Sequence, residues 1–173
     1  MSTLRGPRSR PRAQALVEFA VVIPVFLFLL MGIVDFGRVI WATTSLASAA
    51  REATRFAIVR GGSVTDACPV GPMGPDSPTV AASSSCPYPA PSKQSIINTA
   101  VGAATAGGSN LTVAVCYADA ATATCSGNTD TGTNARGQTV TVVVTSTINL
   151  ITPAILGVSS FSISGSSTMT VNH

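Results

Sequence analysis

Histidine occurs once in 173 residues, as His173, charged side chains make up 10% of the chain, and tryptophan is represented by Trp41 alone. Each scarcity excludes something. One histidine leaves no His-based triad and no Cys-His zinc site, and no CxxC pair offers thiolate ligands instead. There is no G-x-S-x-G elbow, P-loop, G-x-G-x-x-G or H-E-x-x-H. The acids Asp35, Glu52, Asp66, Asp76, Asp119 and Asp130 are scattered, so no paired-carboxylate site can be argued. No enzymatic activity, cofactor or metal is expected. Nucleic acid is not an expected partner either: four of the ten basic residues, Arg5, Arg8, Arg10 and Arg12, crowd the first dozen positions. Residues 14–173 hold six Lys or Arg against seven acids, a net of −1, with no basic patch or aromatic-basic platform.

What the chain has is one long apolar run. From Ala15 to Val34 the only charged side chain is Glu18. Twenty helical residues span about 30 Å, the thickness of a hydrocarbon core. A buried core helix and a signal peptide compete with a membrane span. The best small-x-small cleavage triplet, Ala47-Ser48-Ala49, lies well past the apolar run, which disfavours the signal peptide. The arginine-rich head predicts a cytoplasmic N-terminus and an exterior C-terminal bulk at a cytoplasmic membrane. Pro24 removes a backbone hydrogen bond to Ala20 and predicts a helix kink. Glu18, near the end of the span, gains from the helix N-terminal dipole, yet an acid within a span also calls for a partner.

From Asp35 to Arg60 there is no proline and only Gly37, so the helix is expected to continue outward as an amphipathic half. Val39, Thr43, Leu46, Ala50, Ala53 and Ala57 share one face, with Ser45, Ser48, Arg51, Glu52 and Arg55 on the other. Glu52 and Arg55 are spaced for a surface pair, and Gly61-Gly62 for a stop. Two helices broken at Gly37 are the alternative. Residues 61–91, which hold most of the eleven prolines, read as a loop. Residues 92–105 read as a short helix with Ser92 as cap. Val/Thr-rich alternation predicts strands at 111–117, 138–150 and 161–172, with ITPAILG as a turn or crossover. The expected fold is α+β: a long N-terminal helix packed against a small antiparallel sheet of about three strands. Its divisions are a basic leader (1–13), a transmembrane segment (14–34), an exterior helical half (35–60), a loop (61–91) and an exterior α/β domain (92–173).

Cys68, Cys86, Cys116 and Cys125 all follow the span, where an oxidising compartment allows three pairings. The favoured set is Cys68–Cys86 and Cys116–Cys125. Asn110-Leu111-Thr112 matches a glycosylation sequon, a pattern common by chance.

The segment AQALVEFAVVIPVFLFLLMGIVDFGRVIWATTSLASAAREATRFA resembles the N-terminus of the TadE-like family, the minor pseudopilins of the tight-adherence (Tad, Flp-type) pilus. The resemblance rests on Gln-Ala-Leu-Val-Glu-Phe-Ala, the proline within the apolar run, Asp35-Phe36-Gly37-Arg38, and Ala50-Arg51-Glu52 followed by Arg55. A Val/Thr strand, a Pro-containing crossover and a Ser-rich last strand extend it less specifically. It implies a type IV pilin-like fold and cleavage by a prepilin peptidase after a small residue five positions before a glutamate. Here that bond joins Ala13, where glycine is usual, to Gln14. Glu18, the fifth mature residue, would then be an assembly residue meeting the new ammonium of a neighbouring subunit. The implied partners are the prepilin peptidase, other pilin or pseudopilin subunits, the inner-membrane assembly platform and the lipid bilayer, in a pilus that reaches the cell surface. The alternative function is an uncleaved single-pass anchor presenting an exterior binding or adhesion domain.

Overall fold

The computed structural model describes residues 11–61, 93–106, 110–118, 125, 130–151 and 160–172, with side chains from Gln14 onward. Its dominant element is α1, Pro11–Ile58, a single helix of 48 residues with Pro24 inside it. It passes through Gly37 without a break, so the continuous reading holds over the broken one. The helix is apolar through its first half. A membrane span satisfies its backbone internally, and a helix does this without help. The second half is rich in alanine, the best helix former. The helix ends three residues before Gly61, where Arg60 N–H donates to the Ala57 carbonyl at 3.2 Å and the Arg60 guanidinium lies 3.9 Å from the centroid of the Phe56 ring.

A three-stranded antiparallel sheet packs on the second half of α1: β1, Leu111–Ala118; β2, Thr139–Ile148; β3, Phe161–Thr170, in the order β1-β2-β3. The register pairs Val115 with Val142 and Tyr117 with Val140, while Val144 of β2 pairs with Gly165 of β3. Period-two alternation sends Val140, Val142, Val144 and Ile148 of the central strand into the core, while Thr141, Val143 and Thr145 lie on the partly exposed outer face. Leu46, Ala49, Ala50, Ala53 and Ala57 of α1 meet this layer. A short helix α2, Gln94–Ala103, closes the other side of α1 through Ile96 and Ala100.

Five sequence expectations need correction or bounding. Ser45, assigned to the polar face of α1, is buried, because the end of α2 covers it. Its hydroxyl accepts from the Ala106 N–H at 3.1 Å and lies 3.3 Å from Thr105 Oγ1. Helix α2 starts at Gln94 with Lys93 at its N-cap and no side-chain cap bond, whereas the proposed cap Ser92 lies outside the described residues. Glu52 and Arg55 form no ion pair. Those among the described residues are Arg38–Asp35 and Lys93–Asp130. The crossover after Ile151 and the proposed Cys68–Cys86 pair also lie outside the described residues. Cys116 and Cys125 are joined as expected, their Cα atoms 5.5 Å apart.

One contact sets the spacing of the two layers. A Cβ built on Gly165 would stand 2.5 Å from the Ala47 nitrogen and the Leu46 carbonyl carbon, and 2.8 Å from Ala47 Cα. Ordinary carbon contacts lie near 3.5–4.0 Å. Strand β3 therefore runs backbone against backbone over α1, and the alanines around the crossing allow it.

Candidate functional site: an exposed apolar half-helix joined to a packed domain

The two halves of α1 have opposite surroundings. From Gln14 to Val34 almost every side chain is exposed, including Leu16, Phe19, Val25, Phe26, Leu29 and Ile33. The 18-residue apolar window has the length and composition to cross a membrane, and none of it is buried within the chain. A core helix of a soluble domain shows the reverse. The signal-peptide reading meets a separate obstacle: cleavage at Ala47-Ser48-Ala49 would sever the helix within the core and remove Ala42 and Leu46, both fully packed.

The sequence-selected residues divide accordingly. Gln14 and Glu18 lie exposed on the first turns, among Val17, Val21 and Val22. Four residues apart, they share one helix face. Ala13 is helical, with its side chain outside the described set. Pro24 lies a turn and a half beyond Glu18 within the same helix. Cys116 and Cys125 are far from all of these, on the outer side of the sheet, where Cys125 Sγ lies 3.8 Å from the Thr141 carbonyl oxygen. The structure thus does not gather these positions into one site. It sets a bare apolar rod at one end and a disulfide-linked sheet at the other.

Two polar clusters were missed by sequence reasoning. Asp35, counted there among scattered surface acids, is buried at the junction of the halves. Its Oδ2 accepts the Ile151 N–H at 2.9 Å, and its Oδ1 lies 3.6 Å from Arg38 Nη1. It ties the chain after β2 to the foot of the helix. The signal was its place inside Asp35-Phe36-Gly37-Arg38, at the boundary of the apolar run. The second cluster has no local signal. Lys93 Nζ donates to Asp130 and to the Val115 carbonyl, both at 2.7 Å, and Asp130 Oδ1 also accepts the Tyr117 N–H at 2.9 Å. This fastens the start of α2, strand β1 and the β1–β2 connection together. Burial, reinforced by the nearby Asp130 carboxylate, pushes the Tyr117 phenol well above its ordinary value.

An exposed apolar half-helix opening on Gln-Ala-Leu-Val-Glu, run continuously into an alanine-faced half under a sheet, can now be set beside known proteins. Residues 13–55 match the family model of TadE-like proteins. The TadE-like segment covers α1 from Ala13 to Arg55 and none of α2 or the sheet. Matched segment and exposed helix together fit a membrane protein associated with a Tad pilus. No curated protein and no solved structure matches the chain.

Proposed function

We propose that the chain is a minor pseudopilin-like component of a Tad pilus, cut by a prepilin peptidase between Ala13 and Gln14 and assembled through the apolar half of α1. One observation carries this reading: the TadE-like segment, beginning at Ala13, coincides with a helix whose apolar half has no partner surface among the described residues. Such a surface is satisfied by lipid before assembly and by the helices of neighbouring subunits after it. The scissile bond lies in the first turn of α1, where helix ends fray and a peptidase reaches extended backbone most cheaply.

Cleavage creates an α-amino group on Gln14 with an ordinary pKa of about 7.7–8.0, largely cationic at neutral pH. Within the described chain Glu18 makes no ion pair. In a helical bundle its carboxylate meets the ammonium of an adjacent subunit, offsetting desolvation that neither charge alone could tolerate and selecting one axial stagger. The apolar half lies in the cytoplasmic membrane with the sheet domain outside, and the inner-membrane assembly platform engages the subunits there.

N-terminal sequencing of protein purified from its native host tests this directly. A first residue of Gln14 supports processing. An intact Met1 or Ser2 refutes it and leaves an uncleaved anchor carrying an exterior binding or adhesion domain. Glu18→Gln should insert into membranes normally and fail to enter filaments. Unchanged incorporation would refute the pairing.

A further inference from the structure

The exposed apolar surface does not stop where the span is drawn to end. Beyond Val34, Phe36 is 67% exposed, Ile40 48% and Trp41 61%. With Ile33 they occupy the face of α1 turned away from the sheet, opposite Asp35, Ala42 and Leu46. Two further exposed apolar side chains, Ile151 at 47% and Phe161 at 51%, come from the sheet side. Their height along the helix follows from three contacts. The Asp35–Ile151 hydrogen bond sets residue 151 beside residue 35. The Ile148–Phe161 pair puts Phe161 at that same end of the sheet. Gly165 against Leu46 and Ala47 then shows that β3 climbs away from the span. Exposed apolar side chains therefore stand on both sides of the helix at the foot of the domain, with Asn149, Ser160 and Ser162 exposed between them.

Its polar groups are arranged to suit a dry or half-dry layer. Between residues 19 and 50 the only charged residues are Asp35 and Arg38. Asp35 is turned inward and hydrogen-bonded to backbone, while Arg38, about half exposed, is the positive charge left at this level. Just above, the Thr43 hydroxyl donates to the Ile40 carbonyl at 2.8 Å and that of Thr44 to the Trp41 carbonyl at 2.9 Å. Both hydroxyls are thus satisfied within the helix. Glu18 and Trp41 are separated by 23 helical steps, or roughly 35 Å, which matches a hydrocarbon core plus a few ångströms of headgroup layer. Tryptophan favours that layer, and Arg38 meets its phosphates.

We propose that the foot of the sheet domain is seated in the headgroup layer of a phospholipid bilayer. Phe36, Ile40, Trp41, Ile151 and Phe161 form an apolar collar around the helix there. The lipid-embedded stretch accordingly runs from Glu18 to Trp41, about two turns further than the hydropathy of the sequence marks. The proposal rests on the reading of α1 as a membrane span, and lipid is its occupant because the collar is continuous with the exposed apolar surface of that span.

Trp41, the single tryptophan, is the probe. The full chain is reconstituted into phosphatidylcholine vesicles, floated on a density gradient, and its emission measured with bromine carried near the headgroup or near the bilayer centre. Flotation is expected, with emission blue-shifted from that of a water-exposed indole and quenched severalfold more by shallow than by deep bromine. A Trp41→Phe/Thr170→Trp variant, whose probe sits on the exposed outer face at the far end of β3, should show no such quenching. A Phe36→Ser/Phe161→Ser variant should still float while Trp41 loses most of its shallow quenching. Failure to float overturns the membrane reading itself. Flotation with unquenched Trp41 overturns the seat alone, whether emission is red-shifted by water or blue-shifted by a covering protein. So does equal quenching of the Thr170→Trp probe, or quenching indifferent to loss of the collar.

Discussion

Gly165→Ala is the substitution on which the packing account is most exposed. Adding one methyl group places a carbon 2.5 Å from two backbone atoms of α1. Relief to an ordinary contact near 3.5 Å requires sheet and helix to part by about 1 Å. No side chain can swing aside, because the obstructing atoms are the Ala47 nitrogen and Leu46 carbonyl carbon within a continuous helix. Separation by that much weakens dispersion contacts along the whole seam, where Leu46, Ala50 and Ala53 meet Val142, Val144 and Ile163. Overpacking costs about 1–3 kcal/mol, and a rigid obstacle puts this case at about 3 kcal/mol. Removing a strand glycine returns about 0.5–1 kcal/mol of backbone entropy, which leaves about 2 kcal/mol net. For a domain of this size that lowers Tm by roughly 10 °C. The assay is thermal unfolding of the full chain in detergent, followed by the β-sheet circular dichroism signal. Gly102→Ala serves as control: it lies in α2 with nothing within 4 Å of the added carbon, so it should be neutral or slightly stabilising. Equal melting of Gly165→Ala and wild type would refute the backbone-on-backbone crossing.

Other outcomes follow from the same contacts. Asp130→Ala should destabilise the domain by about 2 kcal/mol, since it leaves Lys93 Nζ without its carboxylate and Tyr117 N–H without its acceptor; chemical denaturation checks this, and a loss under about 0.5 kcal/mol would contradict the role given to it. The Tyr117 phenol is held neutral by burial, so its folded pKa lies above the unfolded value near 10. The stability this contributes is complete below pH 10 and falls as pH rises above it, when the unfolded chain ionises first. In a Tyr88→Phe background, phenolate absorbance should therefore appear together with unfolding rather than before it. Replacing Cys116 and Cys125 by alanine should cost about 3 kcal/mol on the chain-entropy account of a nine-residue separation. Reductant should lower wild-type stability by more than it lowers that variant's, the difference being the Cys116–Cys125 bond, as parallel denaturant titrations would show.

The strands, the long helix and the Cys116–Cys125 bond were legible in the sequence because each is written in a short-range pattern. Alternating Val and Thr states which strand face is buried, an apolar run of membrane length with Glu18 its one charge states where a helix needs no water, and cysteines nine apart in an excursion between strands need little chain to meet. Ser45 misled because helical periodicity distinguishes faces without knowing what covers each, and here α2 covers a second one. Asp35 and Asp130 appeared as isolated surface acids for the related reason that their partners, the Ile151 N–H and Lys93 Nζ, are remote along the chain.

By itself, then, the sequence determined the elements of the protein, their types and which half of the long helix is apolar enough to cross a membrane, since local geometry and hydropathy suffice for those. The tertiary structure alone decided how near the sheet lies to the helix, that Asp35 is buried, and that exposed apolar groups of α1, the chain after β2 and the start of β3 stand at one level. Those facts belong to contacts between residues more than a hundred positions apart, and no periodicity within a single segment encodes them.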